Sequence, residues 1–118
     1  MKPSTLTAST RTVLGRHLQA TLSGSIDDIL DNYAEDSVLY VSQGPVRGLD
    51  ELRHFYKTLI EGRPQGFAKA IEFIRQDVEE DIAFVVWRCG IDLPFATDTY
   101  LIRDGKIRVQ TFAAYTPS

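Results

Sequence analysis

The apolar residues of this chain change their period partway along it. Early on they recur three and four apart: Val13, Leu14, Leu18 and Leu22, then Ile26, Ile29, Leu30 and Tyr33. That spacing predicts two amphipathic helices. The first is expected over residues 9–22, with residues 1–8 as a loose polar tail. His17 falls on its apolar stripe beside Leu14, Leu18 and Thr21. Gly24 ends this helix. Ser25 caps the next, with Asp27 and Asp28 in its first turn, where negative charge suits the helix dipole. Val38-Leu39-Tyr40-Val41 reads as a short strand, and Gly44, Pro45 and Gly48 break the chain after it. A third helix is expected over residues 49–61, with Leu52, Phe55, Tyr56, Leu59 and Ile60 on one face. Beyond Gly62, Pro64 and Gly66 the pattern turns to strands, over residues 67–78 and 82–91, joined by Glu79-Glu80-Asp81. The run from Ile82 to Trp87 is apolar without alternation, so both of its faces are expected to be covered.

The last predicted element is a hairpin. Asp104-Gly105 lies between two β-prone runs, and a two-residue loop of this kind sets the register. Arg103 should face Lys106, Ile102 face Ile107, Tyr100 face Val109, and Asp98 face Thr111. Side chains alternate across a strand. One face then carries Ile102, Ile107, Tyr100, Val109, Asp98 and Thr111. The other carries Arg103, Lys106, Leu101, Arg108, Thr99 and Gln110. The apolar face turns inward, and Asp98 goes with it. Helices segregated from a run of antiparallel strands predict an α+β fold whose curved sheet wraps the helices and leaves an open-ended cavity.

The 118 residues are enough for one core and too few for two. A net charge of -3 gives no basic footprint for nucleic acid. No apolar run is long enough to span a membrane, and the N-terminus has no signal-peptide pattern. Cys89 is the only cysteine, so no intrachain disulfide can form, and a cytoplasmic location is expected. His17, His54 and Cys89 show no metal-ligand spacing, and the turn glycines form no phosphate loop. No metal or cofactor is expected.

The run from Leu22 to Ile29, Tyr33-Ala34-Glu35-Asp36-Ser37-Val38, Gly48 through Phe55-Tyr56, Trp87-Arg88, and Asp98-Thr99-Tyr100 with Asp104 to Ile107 resemble the nuclear transport factor 2-like superfamily. The resemblance is to its SnoaL-like and ketosteroid isomerase-like branches, and it covers about residues 9–115. It implies one cone-shaped α+β domain, a pocket between helices and sheet, and frequent dimers, but no single function. Set against the isomerase site, Asp98 matches the aspartic acid of the oxyanion hole, His17 stands at its tyrosine, and Val41 stands at its catalytic base. That oxyanion hole is a worked case in protein chemistry of a carboxylic acid kept neutral. With a valine at the base position, steroid isomerisation is not expected. In SnoaL-like cyclases a His and an Asp transfer protons, and Asp98 with His17 form a candidate pair of that kind.

Each candidate has a structural alternative. Asp98 is either an acid/base in the pocket or a carboxylate held by Thr111, His17 or an arginine. His17 is a proton shuttle or a core histidine. Phe55, Trp87, Tyr100 and Phe112, with Val41, are expected to line a ligand cavity or to be ordinary core. Tyr40 and Tyr56 have no evident role. Two functions follow. One is proton-transfer chemistry (isomerase, cyclase or lyase type) on a small apolar carbonyl compound, with Asp98 and His17 catalytic. The other is a non-catalytic ligand-binding or dimerisation module. Leu101, Thr99, Phe95 and, if the hairpin register is unbroken, Phe112 lie on the outer sheet face, which predicts a homodimer through that face.

Overall fold

The computed structural model describes residues 4–117. Helix α1 (Thr5–Ser23) starts four residues earlier than its stripe predicts, because Ser4 caps it by accepting from the Thr7 amide at 3.0 Å. The expected loose tail therefore narrows: Met1–Pro3 lie outside the described residues, and Thr5 to Ala8 are helical. Thr7 is buried, and its Oγ1 accepts from the Glu80 amide at 2.8 Å, which ties this first turn to a strand turn across the fold. Gly24 ends the helix in the left-handed conformation, φ 77°, with its amide on the Ala20 carbonyl. Helix α2 (Ile26–Leu30) is one short turn capped by Ser25.

Strand β1 (Tyr33–Val41) begins at Tyr33, not at Val38. Tyr33 is thus a strand residue rather than the end of a helical stripe. Ser37 makes this possible. Its hydroxyl accepts from the Ala34 amide at 2.8 Å and donates to the Ile107 carbonyl at 2.6 Å, spanning a break in the ladder. Strand β2 (Gly44–Arg47) folds back on β1. Helix α3 (Gly48–Gly62) follows, with Leu52 and Tyr56 buried. Residues 67–70, expected as strand, form a short helix α4 (Phe67–Ala70). Then come β3 (Ile71–Glu79), β4 (Ile82–Cys89), β5 (Leu93–Arg103) and β6 (Lys106–Tyr115).

The six strands form one sheet in the order β2-β1-β6-β5-β4-β3. Neighbours are antiparallel except β1 and β6, which run parallel. The helices pack on one side, and the core between them holds Leu14, Ile29, Leu39, Leu52, Val85, Ile102 and Ile107. The α+β class and the wrapped, unclosed sheet agree with the reading of the sequence.

One irregularity changes the site. The hairpin starts in the expected register, Arg103 opposite Lys106 and Ile102 opposite Ile107. The next pair is Leu101 with Val109, so Arg108 is an extra residue, a β-bulge. Its guanidinium Nε reaches back to the Arg103 carbonyl at 3.3 Å, and its other nitrogens lie 3.7 Å from Asp36 and 3.8 Å from Asp104. Every later residue of β6 is inverted relative to the simple register. Tyr100 faces Gln110 and Asp98 faces Phe112, not Thr111. Gln110 and Phe112 turn inward, and Val109 and Thr111 turn outward. Phe112 therefore leaves the outer face proposed for the dimer.

The run from Ile82 to Trp87 is covered on one side only. Ala83 and Val85 are buried, while Phe84 and Val86 are half-buried and Ile82 is 43% exposed. Two covered faces would need something beyond this chain.

Candidate functional site

A cavity of about 530 Å³ opens between α1, α3, α4 and the concave face of the sheet. Its wall is mostly apolar, and among the described residues Asp98 is the only carboxylate in it. Asp98 reaches it from β5, where alternation places every second side chain inward. Its carboxylate is held from both sides. Trp87 on β4 donates its indole N–H to Oδ2 at 2.8 Å. Gln110 on β6 donates from Nε2 to Oδ1 at 3.0 Å. The chain continues outward from Gln110: the Tyr33 hydroxyl donates to Gln110 Oε1, and the Tyr33 and Tyr56 hydroxyls lie 2.6 Å apart. Burial pushes the Asp98 carboxyl up from 3.8 to about 6, against the opposing effect of the Trp87 and Gln110 hydrogen bonds. Burial likewise raises the Tyr33, Tyr56 and Tyr100 hydroxyls.

His17 enters the cavity wall from α1 but makes no hydrogen bond to Asp98, whose oxygens are taken by Trp87 and Gln110. Its ring sits edge-on to Tyr33, Tyr56 and Tyr100, at centroid distances of 5.5, 6.3 and 5.4 Å. Its Nδ1 is buried without a partner. Burial lowers its pKa from 6.5 to about 3, so the imidazole is neutral at any ordinary pH. A shuttle that cycles through imidazolium is not what this environment supports. His17 offers an uncharged ring.

The aromatic wall lies on the other side of Asp98. Trp87 and Phe112 stack at 6.1 Å and 16°, and Phe67 meets Trp87 edge-on. Phe55 and Tyr100 also line the cavity. Arg63 borders it, donating to the Thr21 carbonyl at 2.7 Å and the Leu22 carbonyl at 3.2 Å while lying over the Phe67 ring. It thereby joins the ends of α1 and α3 to α4.

Val41 does not line this cavity. It faces a shallower depression between β1, β2 and α3, together with Val46, His54 and Phe55. Leu39, two residues earlier on the same face of β1, lines the cavity instead. The reading of the sequence also passed over Gln110, Tyr33 and Tyr56. Gln110 was hidden by the bulge and Tyr33 by its assignment to a helix. Tyr56 was legible as a hydroxyl on a buried helical stripe, a position that requires a hydrogen-bond partner.

A comparison with curated proteins finds no match. Solved structures of the same fold are numerous. An NTF-2 like protein of unknown function from Burkholderia xenovorans has a TM-score of 0.77 at 21% identity, over 98% of this chain and 89% of that one. An NTF2-like protein of unknown function from Mesorhizobium loti has a TM-score of 0.78 at 13% identity, over 97% of each chain. A ketosteroid isomerase-like protein from Erwinia carotovora atroseptica has a TM-score of 0.67 at 18% identity, over 97% of this chain and 99% of that one. At such identities these likenesses show the fold alone. The SnoaL-like domain model matches residues 14–110, a span running from the buried stripe of α1 to Gln110, and the chain therefore belongs to the SnoaL-like family of the NTF2-like superfamily.

Proposed function

We propose that this protein binds a small apolar carbonyl compound in the cavity and moves a proton on it, with Asp98 as the acid/base. The observation that carries this reading is one buried carboxyl in a mostly apolar wall, held by Trp87 and Gln110 and raised by burial to about 6. A base with a pKa just below the working pH is ionised and still holds a proton usefully once it has taken one. His17 acts beside it as a neutral ring. With no second carboxylate in the wall, and Leu39 and Val41 as aliphatic residues on that part of β1, steroid isomerisation is not expected. Proton–deuterium exchange at the carbon next to the carbonyl of 2-tetralone, followed by NMR in D₂O, tests the reading. Wild type should accelerate exchange about 10²–10⁴-fold over Asp98→Asn, the usual contribution of a positioned base. Binding without exchange in either protein would leave the non-catalytic module as the function. The lowered pKa of His17, which leaves Asp98 without a histidine partner that titrates near neutrality in the cavity, favours that second reading.

The outer sheet face fits a second copy of the chain. Phe95 and Tyr115 are 51% and 61% exposed there, beside Phe84, Val86 and Leu101. Light scattering should give a dimer mass at micromolar concentration, and a monomer would remove this part of the proposal. No helix among the described residues is long and apolar enough to cross a membrane. The lone thiol of Cys89 suits a reducing, cytoplasmic setting.

A further inference from the structure

Three tyrosines stand near Asp98, and their hydroxyls are bonded differently. Tyr33 and Tyr56 are tied to each other, Tyr33 to Gln110, and Gln110 to Asp98. Each of those two hydroxyls has one proton, and each already spends it. The Tyr100 hydroxyl has no hydrogen-bond partner among the described residues, although Tyr100 is only 2% exposed and lines the cavity. A buried hydroxyl normally finds a partner, because an unmet one costs its full desolvation. Asp98 does not supply it. The two share the inward face of β5, two residues apart, yet the Asp98 oxygens are bonded to Trp87 and Gln110. Burial and then the charge of Asp98 raise the Tyr100 hydroxyl well above its ordinary value, so it keeps its proton and stands as a donor.

Two other donors in the wall are unspent. Gln110 has a second N–H, but its amide is already bonded at both ends. The neutral His17 ring has one N–H. Its Nδ1 is buried, and the ring stands edge-on to Tyr100 at 5.4 Å. Tyr100 is the hydroxyl that can meet a ligand without giving up a bond, and it does so beside Asp98.

We propose that Tyr100 holds the oxygen of the carbonyl compound, while Asp98 meets the carbon next to it. The inference rests on the reading of the cavity as a ligand site with Asp98 as base, and it adds the group on which the developing charge is collected. In the step, Asp98 takes a proton from that carbon. The C–H electron pair forms the carbon–carbon double bond of an enolate, and the carbonyl pair moves onto oxygen. The Tyr100 hydrogen bond strengthens as that oxygen becomes negative, and a donor already in place needs no reorganisation. Asp98 then returns a proton, or a deuteron gained from D₂O, to the carbon.

The test uses 2-tetralone labelled with ¹³C at the carbonyl. Donation to the oxygen draws electron density from this carbon and moves its resonance downfield. Bound to wild type the resonance should lie downfield of its place in an apolar solvent, and Tyr100→Phe should remove most of that shift. Exchange at saturating 2-tetralone should fall about 10²–10³-fold in Tyr100→Phe, the usual loss for one donor to a developing oxyanion. The dissociation constant should rise less than about tenfold, as expected for one neutral hydrogen bond. The thermal midpoint of Tyr100→Phe should equal or exceed that of wild type, because the hydroxyl has no bond in the protein to lose. Tyr100→Phe keeping the wild-type resonance, or a shift lost in His17→Leu and kept in Tyr100→Phe, would overturn the inference and leave Asp98 as the base. Binding without exchange in wild type would remove the proton-transfer reading, and the resonance would still decide which residue holds the oxygen. A wild type that does not bind 2-tetralone would overturn both.

Discussion

Val85 and Val86 are neighbours on β4, yet they stand in different solvents. Val85 points inward and is fully buried, one strand from Asp98 with which it pairs. Val86 points outward, half-buried, opposite Thr97. The whole sheet divides this way. Its inner face carries Tyr33, Gln110, Asp98 and Trp87 bonded in one chain, with Tyr56 of α3 bonded to the Tyr33 end. Its outer face carries Phe84, Val86, Phe95, Leu101 and Tyr115 with little over them. The usual order, apolar inside and polar outside, is inverted in part on both faces, and each inversion marks a place where something else is expected to bind.

The largest expected effect separates the two valines. Val85→Asp places a carboxylate where neither water nor a partner reaches it, and it should cost about 4 kcal/mol or more. Urea unfolding measures this, and a loss below about 1 kcal/mol would show that the inner face is wetter than the structure has it. Gln110→Leu should follow, at about 2–3 kcal/mol, because Tyr33 loses its acceptor and Asp98 one of its donors. An unchanged midpoint would mean that the hydrogen-bond chain contributes nothing to folding.

Two buried titrations give the next effect. Asp98 is raised from 3.8 to about 6, so between those values the folded state holds more protons, and this group's contribution to stability falls as pH rises. His17 is lowered from 6.5 to about 3, so the folded state holds fewer protons, and its contribution grows as pH rises. From about pH 4 to 6 the two oppose each other, and wild-type stability should be nearly level with respect to this pair. Asp98→Asn removes one of them. Stability of the variant should then fall on acidification with a slope approaching about 1.4 kcal/mol per pH unit. Denaturant midpoints across that window would show it, and a level profile in Asp98→Asn would contradict a buried neutral His17.

The smallest effects belong to the exposed side. Val86→Asp should change monomer stability by no more than about 1 kcal/mol while abolishing the dimer in light scattering. A dimer that survives it would place the interface elsewhere. Val41→Asp should also cost less than about 1 kcal/mol, because Val41 opens on a shallow depression rather than on the cavity. A thermal shift as large as that of Gln110→Leu would return Val41 to the interior.

Periodicity and turn chemistry carried most of the fold into view. The stripes around Leu14, Ile29 and Leu52, the Asp104-Gly105 turn and the inward placement of Asp98 all follow from local rules, because a helix repeats every 3.6 residues and a strand every two. Those rules need no knowledge of distant residues. They lose accuracy where a distant residue intervenes: Ser37 holding the Ile107 carbonyl extends β1 back to Tyr33.

By itself the sequence determined that Asp98 would be a carboxylate facing an apolar interior, since the hairpin turn counts residues inward from Asp104 along β5. Only the tertiary structure decided what meets it there. A single extra residue, Arg108, shifts β6 by one position, and side-chain period two converts that shift into an exchange of faces. Gln110 arrives beside Asp98 and Thr111 leaves. At the bulge Arg108 comes within 3.7 Å of Asp36 on β1, the strand that pairs parallel with β6, and no local pattern around Arg108 encodes that neighbour.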